Sequence, residues 1–212
     1  MYLSRVELDL NNRNTMMALT SPQKLHGAVE SAFDGERRRR LWRLDRVGEK
    51  LFLLVLSEDE PDLSGVVVQF GTGAPQQTRS YEPLLDRITA GSVWQFRLTA
   101  NPTISKSRGS AVGRGTVMAH CTTEFQEKWL LDRAAKHGFA LDEKAFTVTR
   151  VQWQHFAKHG SRLVTLLAVT YEGTLQVTDP EAFRQLLCQG MGRGKAYGLG
   201  MMTVMRGVQG HG

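Results

Sequence analysis

Cysteine is nearly absent: Cys121 and Cys188 are the only two in 212 residues. Two cysteines cannot build a disulfide framework, and nothing near them has metal-ligand spacing, so a reducing compartment is expected. Long apolar runs are missing too; none approaches the roughly 20 residues of a membrane-crossing helix. The first residues, Tyr2-Leu3-Ser4-Arg5-Val6-Glu7-Leu8, alternate like a strand rather than opening a leader, and a cytoplasmic protein is expected. The most informative lack is of negative charge. Residues 87–123, 144–171 and 182–212 contain no Asp or Glu but hold Arg87, Arg97, Lys106, Arg108, Arg114, Arg150, Lys158, Arg162, Arg193, Lys195 and Arg206. Acids gather instead at Glu58-Asp59-Glu60-Pro61-Asp62, within a formal net charge of +6. Segregation of this kind builds one basic surface and points to a polyanionic partner, nucleic acid first.

What is present reads as one pattern used twice. Residues 2–10 read as a strand, and Ser21-Pro22 opens a helix, with Ser as N-cap and Pro where no hydrogen bond is lost. On that helix Leu25, Ala28, Val29, Ala32 and Phe33 form one apolar stripe. Gln23, His26 and Glu30 fall on another, which aims His26 away from the helix's own core. Strands follow over 41–44 and 51–56, then a short one at Val66-Val67-Val68 within a loop, a brief helix over 82–88 and a strand over 93–98. Asn101-Pro102 breaks the chain, and residues 103–116 are a basic Gly/Ser-rich segment, either a linker or a loop.

The second half opens with a short strand at Val117-Met118-Ala119 and an amphipathic helix over 123–137, with Phe125, Trp129, Leu130 and Ala134 inward. Strands over 146–156 and 162–171 make a hairpin; Asp179 then caps a helix carrying Phe183, Leu186 and Leu187, and a last strand covers 201–205. Two βαββαβ units in series predict an α+β protein of two tandem ferredoxin-like domains with antiparallel sheets. The expected division is residues 1–102, carrying His26, and 117–212. Trp42 and Trp94 read as core, and neither half has the aromatic pattern of an RNA-recognition motif.

Between the last helix and the last strand, residues 190–200 hold five glycines, whose access to positive φ lets backbone amides approach a ligand. Arg193 and Lys195 add charge suited to phosphate. The stretch is not a P-loop, because Gln189 stands where the first glycine belongs and Ala196 where Ser or Thr belongs. Tyr197 likewise takes the place of the third glycine of a dinucleotide fingerprint. Both of those motifs lead into a helix, and this one runs into a strand. A flexible turn with incidental charge and a phosphate-facing loop both remain open on the residues alone.

The pattern G-x-G-x-x-K-A-x-G-x-G ahead of a final strand resembles the C-terminal signature of the repeat-associated CRISPR RNA-processing proteins, and among them the CasE family of type I-E systems. The resemblance extends to Pro22-x-x-x-His26, Leu41-Trp42-Arg43-Leu44, the run Phe96-Arg97-Leu98-Thr99-Ala100-Asn101-Pro102, and Tyr171-Glu172-Gly173-Thr174-Leu175 with Asp179-Pro180. These stand in matching order over nearly the whole chain. The resemblance implies tandem ferredoxin-like domains and an endoribonuclease that cuts the CRISPR repeat transcript at the base of its hairpin. It further implies cleavage without metal or other cofactor, a 2′,3′-cyclic phosphate and a 5′-hydroxyl as products, and retention of the hairpin as a subunit of Cascade, from a monomer when free.

RNA carries its own nucleophile, so such a cut needs a proton acceptor for the 2′-hydroxyl, a donor to the leaving 5′-oxygen and positive charge at the phosphate. By position His26 matches the family's catalytic histidine. Some relatives place a tyrosine three residues earlier, where this chain has Gln23, which can hydrogen-bond a phosphate but cannot exchange a proton near neutral pH. His26 with a cationic helper is the simpler expectation. Expected contacts to the RNA come from Arg37, Arg38, Arg39 and Arg40, from Lys106, Arg108 and Arg114, and from Lys128, Arg133 and Arg150. The glycine loop adds Gly190, Gly192, Arg193, Gly194, Lys195, Gly198 and Gly200. On the residues alone, a four-arginine run is also an ordinary solvated edge, and His26 also an ordinary surface histidine. The alternative function is an RNA-hairpin-binding scaffold without catalysis, which Gln23 favours.

Overall fold

The computed structural model describes residues 1–34, 38–106, 116–158 and 162–206. The chain begins with β1 (Tyr2–Leu8), α1 (Arg13–Thr20), α2 (Pro22–Glu30), β2 (Leu41–Val47), β3 (Lys50–Ser57), α3 (Ser64–Phe70) and β4 (Gln77–Ser80). These strands pair in the order β2-β3-β1-β4, all antiparallel. After α4 (Glu82–Leu85) come β5 (Val93–Ala100), β6 (Thr103–Lys106), β7 (Thr116–Ala119), α5 (Thr123–Ala134), β8 (Phe139–Ala140), β9 (Phe146–Lys158), β10 (Arg162–Val177), α6 (Pro180–Gln189) and β11 (Met202–Arg206). In this second sheet β10 lies between β9 and β5, and β5 pairs β11 on its far side. Both sheets therefore have the second-third-first-fourth strand order of a ferredoxin-like βαββαβ unit.

The expected fold holds, but its strands are dealt differently between the halves. The stretch 93–98, expected to close the first sheet, is the first strand of the second: β5 hydrogen-bonds β10 and β11. The first sheet closes with β4, in a stretch read mostly as loop, and the chain passes between sheets over residues 81–92, not at 102. Val66-Val67-Val68 is helix rather than strand. Leu63, Val66 and Phe70 are buried at helical spacing while Val68 is 85% exposed, and packing of that face overrides the β-branched preference. Among the described residues Val117–Ala119 pairs only with β6, forming a two-stranded ribbon of its own. The expected linker 103–116 thus has strand at both ends, and 107–115 between them lie outside the described residues.

One buried cluster, including Val6, Leu25, Val29, Leu53, Val55, Val66 and Phe70, fills the space between the first sheet and its helices. The other joins Phe96, Leu98, Trp129, Tyr171, Phe183 and Leu187 of the second unit to Leu41, Leu56 and Tyr81 of the first. The two units therefore share a core. Within that junction lies Arg43 of β2, 1% exposed. Its Nε and Nη2 donate to the Asp45 carboxylate at 2.7 and 2.6 Å. Its Nη1 donates to Arg97 O and Met201 O at 2.9 and 2.8 Å, and Nη2 also donates to Thr203 Oγ1 at 2.7 Å. All five guanidinium donors are thereby met, three of them by the second unit.

Removing one member of a buried, hydrogen-bonded ion pair strands the other charge, typically at about 3–5 kcal/mol. Arg43→Ala is expected to lower the unfolding free energy by about that much in denaturant titration, and a loss under ~1 kcal/mol would show that the junction does not depend on it.

Candidate active site

Leu25 and Val29 anchor α2 in the first core, 1% and 0% exposed, and this sets the direction of its other face. Pro22 opens the helix as expected, but the Ser21 side chain makes no capping bond. Ser21 also ends α1, and its N–H donates to Ala18 O. His26, one residue past Leu25, stands at the rim of the fold with its side chain 14% exposed, and its Nδ1 is 4.0 Å from Glu30 Oε1, one turn on. Glu30 in turn holds Arg40, with Oε2 to Nη1 at 3.1 Å. Arg40 also lies 4.0 Å over the Phe33 ring. Gln23, half-buried, makes no side-chain hydrogen bond among the described residues.

The glycine loop reaches this helix from the other unit. A single 3-10 turn, Lys195–Tyr197, brings its Cα atoms within 8 Å of those of α2. Burial, and then the neighbouring Arg39 cation, hold the Lys195 ammonium below its ordinary value of 10.5. Arg39 belongs to the first unit and is exposed, so its charge acts on Lys195 across the junction. Tyr197 packs on Phe156 of β9 with ring centroids 4.8 Å apart.

The loop's glycines meet protein at close range. Gly198 (φ +79°) lies against Trp42 of β2, where an added Cβ would stand 2.6 Å from the indole ring. A side chain at Gly190 (φ +69°) would sit 2.8 Å from Gly200 O and 3.0 Å from Leu41. Nor do the amides of Gly190, Gly198 and Gly200 stand free: they donate to Leu186 O, Lys195 O and Thr99 O at 2.8, 3.3 and 2.6 Å. At Gly190 and Gly198 close approach, the property read from these glycines, seats the loop against the first unit.

The expected RNA contacts are placed unevenly. Arg38 is exposed and 3.4 Å from both Glu58 and Asp59, so the acidic cluster partly neutralises that end of the arginine run. Arg40 turns inward to Glu30 and Phe33. Lys128, Arg133 and Arg193 come together with His120 and Phe125 around an open groove of about 600 Å³ between β6, α5 and the glycine loop. There Lys128 pairs with Asp132 at 3.0 Å, and Arg133 lies 4.3 Å over the Trp129 ring. Phe125, expected inward, is 52% exposed and stacks on His120. Arg150 lines a smaller cavity between the units. Arg37, Arg108 and Arg114 lie outside the described residues, as does the Lys106 side chain. Among the described residues no His, Cys, Asp or Glu side chains group as metal ligands.

A two-unit antiparallel α+β protein in which a cationic glycine loop packs against the helix that carries a partly exposed histidine is the class that these features define. The family model described as CRISPR associated protein matches residues 1–206, and the chain belongs to that family. It is 31% identical over 219 residues to the CRISPR-associated endoribonuclease Cse3 of Thermus thermophilus, covering 96% of this chain and 99% of that one. Among solved structures it is similar to Cse3 bound to a 19-nucleotide RNA, at TM-score 0.82 and 27% identity over 97% of this chain and 100% of that one. It is also similar to Thermus thermophilus Cse3 bound to an RNA representing a pre-cleavage complex, at TM-score 0.79 and 27% identity over 96% and 98%. The Cas6e protein of Escherichia coli shares the fold at TM-score 0.62 and 23% identity over 97% and 100%.

Because its folded value is depressed, charged Lys195 opposes folding below that value, and stability rises with pH between the folded and unfolded values. In the free protein, NMR titration of the lysine ammonium is expected to place Lys195 below 10.5. Arg39→Gln should raise it only part of the way, since burial is the larger cause; no movement would mean that the Arg39 charge does not act on Lys195.

Proposed function

We propose that this chain is a metal-independent endoribonuclease that cuts CRISPR precursor RNA at the base of a repeat hairpin. The observation that carries this reading is similarity along the whole chain to Cse3, an endoribonuclease also solved with RNA in a pre-cleavage complex. His26 exchanges the proton: the 2′-oxygen bonds phosphorus as its hydrogen leaves, the bond from phosphorus to the 5′-oxygen breaks, and that oxygen takes up a proton. The products are a 2′,3′-cyclic phosphate and a 5′-hydroxyl. Glu30 sits where it orients the imidazole.

Lys195 and Arg39 supply the positive charge that the phosphorane needs, and Lys195, held below its ordinary value, releases a proton more readily than a solvated lysine. The hairpin lies along the groove of Lys128, Arg133 and Arg193, met mainly through its backbone and shape, as A-form stems are. The cut hairpin stays bound, and the protein, a monomer when free and cytoplasmic, carries it into Cascade. What supports that last step is the fold shared with a chain of a CRISPR RNA-guided surveillance complex, at TM-score 0.71 and 24% identity over 97% and 100%. Gln23, which cannot relay a proton, favours one rival, a scaffold that binds the hairpin uncut.

With labelled repeat RNA in EDTA, the parent is expected to leave a cyclic-phosphate end. His26→Ala should lose on the order of 10²–10⁴ in single-turnover rate while keeping its affinity. Tight binding without cleavage by the parent would establish the scaffold; equal rates for parent and variant would move the chemistry away from His26.

A further inference from the structure

The groove between β6, α5 and the glycine loop carries one feature that backbone recognition of a stem does not use. Phe125, in the first turn of α5, lines the groove and is 52% exposed, although an aromatic ring gains most by burial. One side of the ring is backed by the His120 imidazole, with centroids 5.8 Å apart and planes 27° from parallel. His120 is itself held. Its N–H donates to Pro102 O at 3.0 Å, and its carbonyl accepts from Nε2 of the buried Gln126 at 2.9 Å. Lys128, one turn on from Phe125, lines the same groove with Arg133 and Arg193, and Asp132 is the one carboxylate among the described residues there.

We propose that Phe125, backed by His120, is a stacking platform for an unpaired nucleobase of the bound hairpin RNA. This rests on the hairpin-binding part of the proposed function. Bases within a stem keep their faces against one another, so the ring takes a base outside the duplex, from the hairpin loop or from the single strand that flanks the stem. Every base has a π-face, and aromatic rings set among cations hold single strands in this way. Lys128 and Arg193, both exposed, supply charge for the phosphates attached to that base. An apolar protein face seated here would desolvate three cations against one carboxylate, whereas phosphates answer them.

The test measures equilibrium binding of the full chain to hairpin RNAs that carry a 2′-deoxy residue at the cut, so that none is cleaved. One RNA is otherwise unmodified, one has abasic loop nucleotides, and one has abasic flanking nucleotides. Phe125→Ala is expected to bind the unmodified RNA about 10-fold more weakly than the parent, a loss in the range of one stacked base. Its salt dependence should match the parent's, because no phosphate contact is lost. Phe125→Tyr, which keeps the ring, should bind as the parent does, and circular dichroism checks both folds. On the RNA that lacks the stacked base, parent and Phe125→Ala should bind alike, and whether this is the loop RNA or the flank RNA identifies the source. Equal binding of the unmodified RNA by parent and Phe125→Ala, or a loss undiminished on both abasic RNAs, would overturn the platform and leave the ring to a protein partner. A parent that binds none of these RNAs defeats the hairpin-binding reading itself.

Discussion

The arrangement depends on one buried guanidinium. Arg43 reaches out of the first sheet and spends three of its five donors on the second unit, on Arg97 O, Met201 O and Thr203 Oγ1, while Asp45 answers its charge from its own strand. A planar fork of fixed directions can be met this way in few relative placements of two sheets, and a lysine, with three donors on one point charge, could not replace it. Since α2 travels with the first sheet and the glycine loop with the second, the fork sets how the histidine's helix and the lysine's turn meet. Its charge is costly to bury unpaired, so the same bonds that position the units penalise any other docking.

Around that pin the contacts are apolar and close. Gly198 admits the Trp42 ring, Gly190 admits Leu41, and Leu41 and Leu56 continue the second unit's core into the first. The loop is thus both a seat and a carrier. Its glycines let a strand-entry turn press against another unit, and that pressing half-buries Lys195. Structure and chemistry are not separable here: the burial that secures the loop is also the larger cause of the depressed lysine.

Much of the fold was legible in the chain. The stripe Leu25, Val29 and the placing of His26 off it follow from helical spacing, and Asp179 caps α6 through Glu181 N and Ala182 N as its residue type predicts. The misassignments share one cause. Val66–Val68 and the stretch 93–98 were read by local character, but Val66 faces a core that selects helix, and β5 takes partners more than 70 residues away on β10. Strand-to-sheet membership is a long-range choice, and two βαββαβ units in tandem can trade a strand without changing the count. Phe125 fell out of the expected stripe for a similar reason, since α5 packs through Gln126, Trp129 and Leu130 and leaves it beside His120.

Taken by itself, the sequence determined the two-unit plan and the candidacy of His26, because periodicity and helix signals are local properties of the chain. Tertiary structure alone decided that the Lys195 turn packs against α2 and that Gly190 and Gly198 meet Leu41 and Trp42 across the junction. Each of these is a distance between residues far apart in the chain, fixed by how the two sheets dock, and no pattern along a strand or helix encodes a distance across that junction.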